Sequence, residues 1–521
     1  MKPKYNMTRE QNIFSTIRRD LQMERITTKQ QHFIDAQGRT RIFHGVNIID
    51  KSYTQEVKRA FCQPINKKDV EGLPDSVLDN CAKSGFNLIR LGFNWANIEP
   101  QPGQYNESYI DSLEDILDRC AQRGIYVFLD LHQDLYANFP TRFGDCDGAP
   151  LWAAHTQPYT VKKQRLVWAD GYFWDKGIHR AFDNFWENAP HNGKGLQDYF
   201  ADMLRHLARR LGNHPALFGW DYLNEPYIGK EGGRAFRKLI ANLVKHTLFD
   251  RDIKLGKLLG DALIPKRRDH LLDNYGDPVF HRIALSCAEL IRRFDEERYG
   301  PFLNKMTAAV REVTPNGIAF ADNCYYSNLG IPCAVPPIAV NGVREKQQCF
   351  QPHGYDLTVD TPAYAFANNS RIEGIFAEHR RTQQRLDTPV VVGEWGGGGE
   401  GDRWLPHVRF LMDLFDSYQW SNAYFCYGQD FFAQPLMQII ARPYPMAVAG
   451  TIQSYAYQSE SKRFTLEFTQ DGSGSTQIYL PRAYQSMEAP GETRVLPIDG
   501  SEAVIVEIDA PVGAQRIVIQ L

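Results

Sequence analysis

No stretch of this 521-residue chain is apolar for long enough to cross a bilayer, which takes about 20 residues as a helix. The opening segment, MKPKYNMTREQNIFSTIRRDLQMERITTKQ, interleaves charged and apolar residues without a continuous apolar core, so no secretory signal is expected. Cysteine is sparse: nine residues, scattered, with no C-x-x-C pair. That pattern predicts free thiols in a reducing, cytoplasmic setting. A positive overall charge is missing too. The formal net charge is -3, so no broad field draws phosphates and nucleic acid is not an expected partner. No H-x-H cluster stands at a strand end, as metal-dependent hydrolysis would need, and no cofactor is expected.

What is present is ordinary globular composition, 43% hydrophobic and 23% charged, enough for a large core. Continuously apolar runs alternate with amphipathic helical stretches. RIFHGVN (41–47), FNLIRLGF (86–93), IYVFLDLH (125–132), LFGWDYLNE (217–225), GIAFAD (317–322), PVVVGEW (389–395) and SNAYFCYG (421–428) are the strands, with one more near CFQPHGYD (349–356). Apolar strands separated by helices of three to four turns indicate parallel β/α units. The expected fold is a (β/α)8 TIM barrel over 1–440, with a doubly wound open sheet as the alternative. From 441 to 521 the runs RFTLEFTQ, STQIYL, AVIVEIDA and QRIVIQL alternate apolar with polar residues, predicting a C-terminal antiparallel β-sandwich.

An insertion is expected at about 228–315. Between 234 and 268 ten Lys or Arg face three Asp, and Phe236, Leu239, Ile240, Leu243, Val244 and Leu248 recur at helical spacing. Two readings stand for this segment. One is a helix packed on the barrel with a solvated basic face. The other is peripheral contact with an anionic membrane.

Chemistry in a parallel barrel gathers at the C-terminal ends of its strands. Glu225 ends GWDYLNE there, and Pro226, having no N–H, stops the ladder. Glu394 ends VVVGE in the same way. Two carboxylates meeting across one mouth suit glycoside hydrolysis, with one protonated for the leaving oxygen and the other ionised to attack carbon. Arg90, ending FNLIR, suits clamping a carboxylate in its charged form. His132 and Asp134 of DLHQD are placed to bind sugar hydroxyls. Asn224 can donate beside the carboxyl, while His353 and Tyr355 of HGY stand near the sixth strand. Trp174, Trp186, Trp395 and Trp404 are candidate stacking surfaces. GGGGEG (396–401) fits G-x-G-x-x-G, but no second strand ends in an acid about 20 residues on, as a dinucleotide site requires.

With NEP, GEW, the Arg after strand two, the His after strand three and the His-x-Tyr after strand six, the chain resembles glycoside hydrolase family 5. More narrowly, LDLHQDLY, GDCDGAP, AFDNFW, YLNEP and RPYPMAVAG resemble endoglycoceramidases and the related glucosylceramide- and steryl-glucoside-cleaving enzymes. The resemblance implies a retaining β-glycosidase acting on a glycolipid, with Glu225 as acid/base and Glu394 as nucleophile. It also implies that Asn224 contacts the 2-hydroxyl, that Tyr355 orients Glu394, and that Lys51, His132 and Asp134 bind sugar. The Trp of strand eight in that pattern is missing, and Phe425 or Tyr427 stands in its place. Soluble β-glucosides are the alternative substrates, and a non-catalytic sugar-binding barrel the non-enzymatic rival.

Overall fold

The computed structural model describes residues 23–49, 73–139, 146–164, 168–359, 361–399, 401–428, 430–471 and 474–521. Eight parallel strands lie in one sheet: β1 (His44–Ile49), β2 (Leu88–Phe93), β3 (Tyr126–Leu131), β4 (Leu217–Asp221), β5 (Ile318–Asp322), β6 (Gln348–Gln351), β7 (Val391–Val392) and β8 (Ser421–Tyr424). Their order is β6-β5-β4-β3-β2-β1-β8-β7, and a parallel bridge from Phe350 to Val390 brings the two edges together. The barrel reading holds, and the open sheet is excluded. The strands are buried along their whole length, which is why they read as apolar runs with no alternation.

The helices between them bury one stripe each. In α1 (Asp75–Lys83) it is Val77, Leu78 and Cys81. In α2 (Glu107–Ala121) it is Ile110, Leu113, Leu117 and Cys120, and the Asn106 side chain caps the start by accepting from the Tyr109 N–H. The outer layer continues with α3 (Leu196–Leu211), α4 (Gly300–Arg311), α5 (Asn369–Leu386) and α6 (Leu405–Tyr418). The segment read as an insertion to about 315 therefore ends in a barrel helix, since α4 packs on α3. Its earlier part holds helices Glu231–Phe249 and Leu255–Leu263.

Eleven further strands form two antiparallel sheets. The four-stranded one runs Gly450–Gln458, Arg463–Gln470, Gly513–Gln520 and Ser486–Glu488. The seven-stranded one includes Tyr444–Val448, Thr476–Leu480, Val504–Asp509 and Glu492–Pro497, and also Thr27–Lys29, His32–Ile34 and Thr40–Arg41 from the other end of the chain. The expectation that all of 1–440 serves the barrel is corrected at this point. Strands of two or three residues carry no readable period, so only pairing in space reveals them. The core between these sheets is the alternating set Phe464, Leu466, Phe468, Ile478, Val506 and Ile517.

The same N-terminal hairpin reaches the barrel's closed end. Phe33 is buried against Phe43 and Phe218, with ring centroids 5.7 and 5.2 Å away, in a floor completed by Tyr126, Phe128 and Phe320. The C-terminal sheets dock through Tyr444, whose hydroxyl donates to Gly85 O at 2.7 Å, and Tyr479, which donates to Lys83 O at 2.9 Å. Seven described cysteines are free and buried. Cys426 is disulfide-bonded, against the expectation of free thiols throughout. Pairing is fixed by proximity in the fold, and spacing along the chain does not reveal it. Among the described residues no helix is long and apolar enough to cross a membrane.

Because Phe33 ties the N-terminal strands to the barrel floor, Phe33→Ala is expected to destabilise the protein by about 3–5 kcal/mol. A fall in the denaturant midpoint with an unchanged slope would show it; an unmoved midpoint would mean that the floor does not depend on this ring.

Candidate active site

Arg90 leaves β2 pointing into the barrel and is fully buried. Its Nη1 donates to Glu394 Oε1 at 2.6 Å and to Asn47 Oδ1 at 3.1 Å. Its Nη2 donates to Asp221 Oδ2 at 2.8 Å and to Asn224 Oδ1 at 2.9 Å, and lies 3.1 Å from Asp130 Oδ1. Burial alone would lower the guanidinium's pKa. The carboxylates of Asp130, Asp221 and Glu394 outweigh that and hold it well above the ordinary value. The expected clamp on Glu394 is thus present, inside a wider network.

Glu394 follows β7. Tyr355 donates its hydroxyl to Oε2 at 3.1 Å, so both carboxylate oxygens are held by donors. Asn47 fixes the strand behind it, donating from Nδ2 to Gly393 O at 2.8 Å and Ala423 O at 3.0 Å. A Cβ on Gly393 would meet Gln351 Nε2 at 2.5 Å and His353 Nε2 at 2.7 Å, which explains glycine before the carboxylate.

Glu225 sits past β4 with φ 42, a left-handed conformation uncommon for a residue other than glycine. Holding it there costs on the order of 1–3 kcal/mol unless neighbours fix the backbone. Two do. The Glu225 N–H donates to Asp322 Oδ2 at 2.8 Å, and Gln133 Nε2 donates to Glu225 O at 3.2 Å and Asn224 O at 2.9 Å. The side chain accepts from Asn328 Nδ2 at 2.5 Å and lies 3.1 Å from His353 Nδ1. Burial, reinforced by the nearby charge of Asp134, pushes the Glu225 carboxyl up to about 7; the Asn328 hydrogen bond pulls the other way.

His353 stands between the two carboxylates, its Nδ1 3.7 Å from Glu394 Oε2. Burial lowers its pKa to about 3, so the ring is neutral. One oxygen of Glu225 and one of Glu394 lie within 4.8 Å of each other. Glu225, His353 and Glu394 could geometrically hold a cation, as could His132, Asp134 and Asp147. In the first group, however, Arg90, Tyr355 and Asn328 already present donor hydrogens to the oxygens a cation would need.

The remaining expected residues divide. His132 is buried, with Nδ1 2.8 Å from Asp130 Oδ2 and Nε2 3.7 Å from Asp134 Oδ2. The Asp134 N–H donates to Asp147 Oδ1 at 2.8 Å. Both Asn224 amide atoms are engaged, Oδ1 by Arg90 and Nδ2 by Gln133 O at 3.1 Å. Lys51 lies outside the described residues. Phe425 is half-buried beyond β8, its N–H on Trp395 O at 3.0 Å.

Trp395 is corrected: it is fully buried, edge-on to Phe415 of α6 and to Tyr424, and offers no face to a sugar. Successive residues at a strand end point to opposite sides, so Glu394 facing the mouth sends Trp395 outward under the helices. Trp174, on the short helix Asp170–Trp174, is 46% exposed and edge-on to Phe236. Trp186 and Trp404 are buried in the core.

Sequence reading missed Asp130, Asp221 and Asp322, all buried within apolar strands. For Asp130 a signal was available, because a charged Asp inside such a strand needs compensation and Arg90 lies on the neighbouring β2. Burial raises Asp221 to about 6, Asp130 adding to the shift while Arg90 opposes it, and raises Asp322 well above the carboxylate range. Asn328, Asn47 and Gln133 carried no such signal.

The family model described as "Cellulase (glycosyl hydrolase family 5)" matches residues 62–248, and that described as "Glycoside hydrolase family 5 C-terminal domain" matches 442–518. Endoglycoceramidase I of Rhodococcus hoagii (strain 103S) is 26% identical over 517 residues, covering 93% of this chain and 89% of the relative. Ergosteryl-beta-glucosidase of Saccharomyces cerevisiae is 30% identical over 225 residues, 33% of this chain and 27% of the relative. Structures of endo-glycoceramidase II from Rhodococcus sp. superpose with TM-score 0.69 over 94% of this chain and 99% of theirs. They include its ganglioside GM3 complex (23% identity) and its lactosyl-enzyme intermediate (22%); the likeness bears on fold.

A barrel with a paired carboxylate mouth and these relatives defines a glycoside hydrolase. The chain belongs to glycoside hydrolase family 5.

Gly393→Ala places a methyl against Gln351 and His353 and displaces Glu394. Turnover of an aryl β-glycoside is expected to fall on the order of a hundredfold with the circular dichroism spectrum unchanged. Full turnover would mean that those side chains yield without moving the carboxylate.

Proposed function

We propose that the protein is a retaining β-glycosidase that cleaves the bond between a sugar, glucose, and a lipid aglycone such as ceramide or a sterol. The observation that carries the mechanism is the approach of Glu225 and Glu394 oxygens within 4.8 Å, with one carboxyl raised to about 7 and the other on Arg90. Carboxyl groups about 5–5.5 Å apart suit attack on carbon, whereas inverting enzymes leave about 6.5–9.5 Å for a water.

In the first step Glu394 attacks C1 and the bond from C1 to the aglycone oxygen breaks. Its electron pair stays on that oxygen, which takes the proton of Glu225. Arg90 and the Tyr355 hydroxyl each donate to one oxygen of Glu394 and aim it. In the second step water attacks C1 and gives its proton to Glu225 while the ester bond to Glu394 breaks, restoring both groups.

The lipid aglycone is supported by the endoglycoceramidase relative, which matches 93% of the chain. A substrate of that kind lies in a bilayer, so peripheral contact of residues 234–268 with anionic membrane is part of the same reading. Activity on glucosylceramide, a ganglioside or a steryl glucoside is the expected outcome of a panel that includes cellobiose. Turnover confined to cellobiose would reject the lipid aglycone and favour soluble β-glucosides.

Glu225→Gln is expected to lose about 10²–10⁴-fold on the natural lipid, while forming the glycosyl-enzyme normally from a dinitrophenyl glycoside whose leaving group needs no proton. Equal loss on both would contradict the acid/base role.

The pH profile tests the same assignment. Glu225 must hold its proton, so kcat/KM is expected to fall as pH rises through about 7. Asn328 donates to the ionised form and so lowers the pKa of Glu225; Asn328→Ala should therefore move this limb to higher pH. A limb that stays put, or moves down, counts against Glu225 as its source.

A further inference from the structure

Helix Glu231–Phe249 has two apolar stripes but uses only one for packing. Leu239 and Leu243 pack on a small core formed with Ile253, Leu258, Tyr275 and Val279. Ile240, Val244 and Leu248, four residues apart and therefore on one face, are exposed, and Phe249 at the helix end is 79% exposed. The next helix repeats the arrangement. Leu258 faces the same small core, while Leu255, Leu259 and Leu263 line the outer face, Leu263 at 75% exposure with Ile264 beside it. Among the described residues, half of the exposed large apolar side chains fall in these 25 positions. A soluble surface does not concentrate them in this way without a partner.

The surrounding charge is mostly basic. The segment 234–268 carries ten Lys or Arg in a chain whose net charge is -3. Its three acids are already paired, Asp250 and Asp252 with Arg282, and Asp261 with Lys257. Lys245, Arg251, Lys254, Arg267 and Arg268 are exposed around the apolar ridge.

The ridge is also rooted at the catalytic mouth. Its first helix begins six residues after Glu225, and Tyr326, on the loop that supplies Asn328, donates to Gly232 O at 2.7 Å. Arg371 donates to Leu272 O and Tyr275 O behind the ridge while pairing with Asp356, the residue after Tyr355.

The geometry points to a bilayer-docking face, in which the ridge from Ile240 to Ile264 inserts among lipid acyl chains and its basic collar meets anionic headgroups. Apolar insertion beside Lys and Arg is the chemistry of an interfacial helix. A protein partner would not require the excess of exposed Lys and Arg that this segment carries. The inference rests on the lipid-aglycone reading for its purpose, because docking here would present a membrane glycolipid to Glu225 and Glu394.

Binding can be tested without any substrate, by sedimenting the full-length protein with vesicles of phosphatidylcholine alone or mixed with phosphatidylserine. Wild type is expected to sediment with the mixed vesicles. The combined variant Leu248→Ser, Phe249→Ser, Leu259→Ser and Leu263→Ser should lose at least about tenfold in partitioning. Lys245→Glu with Arg251→Glu and Lys254→Glu should lose on the order of a hundredfold, and only on vesicles containing phosphatidylserine. Both variants should keep wild-type turnover of a soluble aryl β-glycoside.

Absence of wild-type binding overturns the proposal, and so does equal sedimentation of the apolar variant. A dimer in ultracentrifugation that the apolar variant abolishes, with vesicle binding unchanged, assigns the ridge to a second copy and also overturns it. If the protein binds vesicles yet cleaves no glycolipid, the substrate reading fails while the docking face stands.

Discussion

A single guanidinium without access to water, Arg90, organises the mouth of this barrel. It is hydrogen-bonded or ion-paired to Glu394, Asp221, Asp130, Asn47 and Asn224, which come from or follow four different strands. A buried cation is tolerated only where neighbouring carboxylates compensate its lost hydration. Burial raises Asp221 and Asp322, and Glu394 lies in direct contact with the guanidinium at 2.6 Å. The arrangement fixes strand ends relative to one another and assigns opposite environments to two otherwise identical side chains.

Glu225 shows the other half of that assignment. Its oxygen meets an amide and a neutral imidazole rather than a cation, and its backbone is held in the left-handed region by Asp322 and Gln133. Pro226, which stops the strand, would by itself bias the residue before it towards extended backbone. The observed φ of 42 is therefore imposed by the side chains around it. Asp322 and Gln133 come from β5 and from the loop after β3, so the position of Glu225 depends on the same strand alignment that Arg90 maintains.

The readable parts of the molecule were those where chemistry repeats locally. Eight apolar runs with intervening amphipathic helices gave the barrel, and carboxylates at the ends of GWDYLNE and VVVGE gave its two acidic groups. Arg90, His353 and Tyr355 followed as polar residues at strand ends. The stacking assignment for Trp395 went astray because an aromatic residue looks the same in sequence whether it lines a mouth or fills a core. Asn328 and Gln133 lay on irregular loops whose path no periodicity describes. The N-terminal strands were too short to show alternation, and their partners lie some 400 residues away, as with Arg41 and Ala447.

The outward faces of the two insertion helices mark the division most clearly. Helical spacing alone established that Ile240, Val244 and Leu248 share a stripe with basic residues around it, since that follows from the helix repeat. Whether the stripe covered the barrel or faced outward depended on where the small core of Ile253, Leu258 and Tyr275 formed, and that was settled by packing. The amino-acid sequence by itself determined the barrel, the pair of acidic strand ends and the basic amphipathic insertion, because each is a pattern of neighbours along the chain. Only the tertiary structure decided which carboxyl is pushed up, which tryptophans are core and which apolar face meets solvent, because pKa and burial are set by residues brought together from distant parts of the chain.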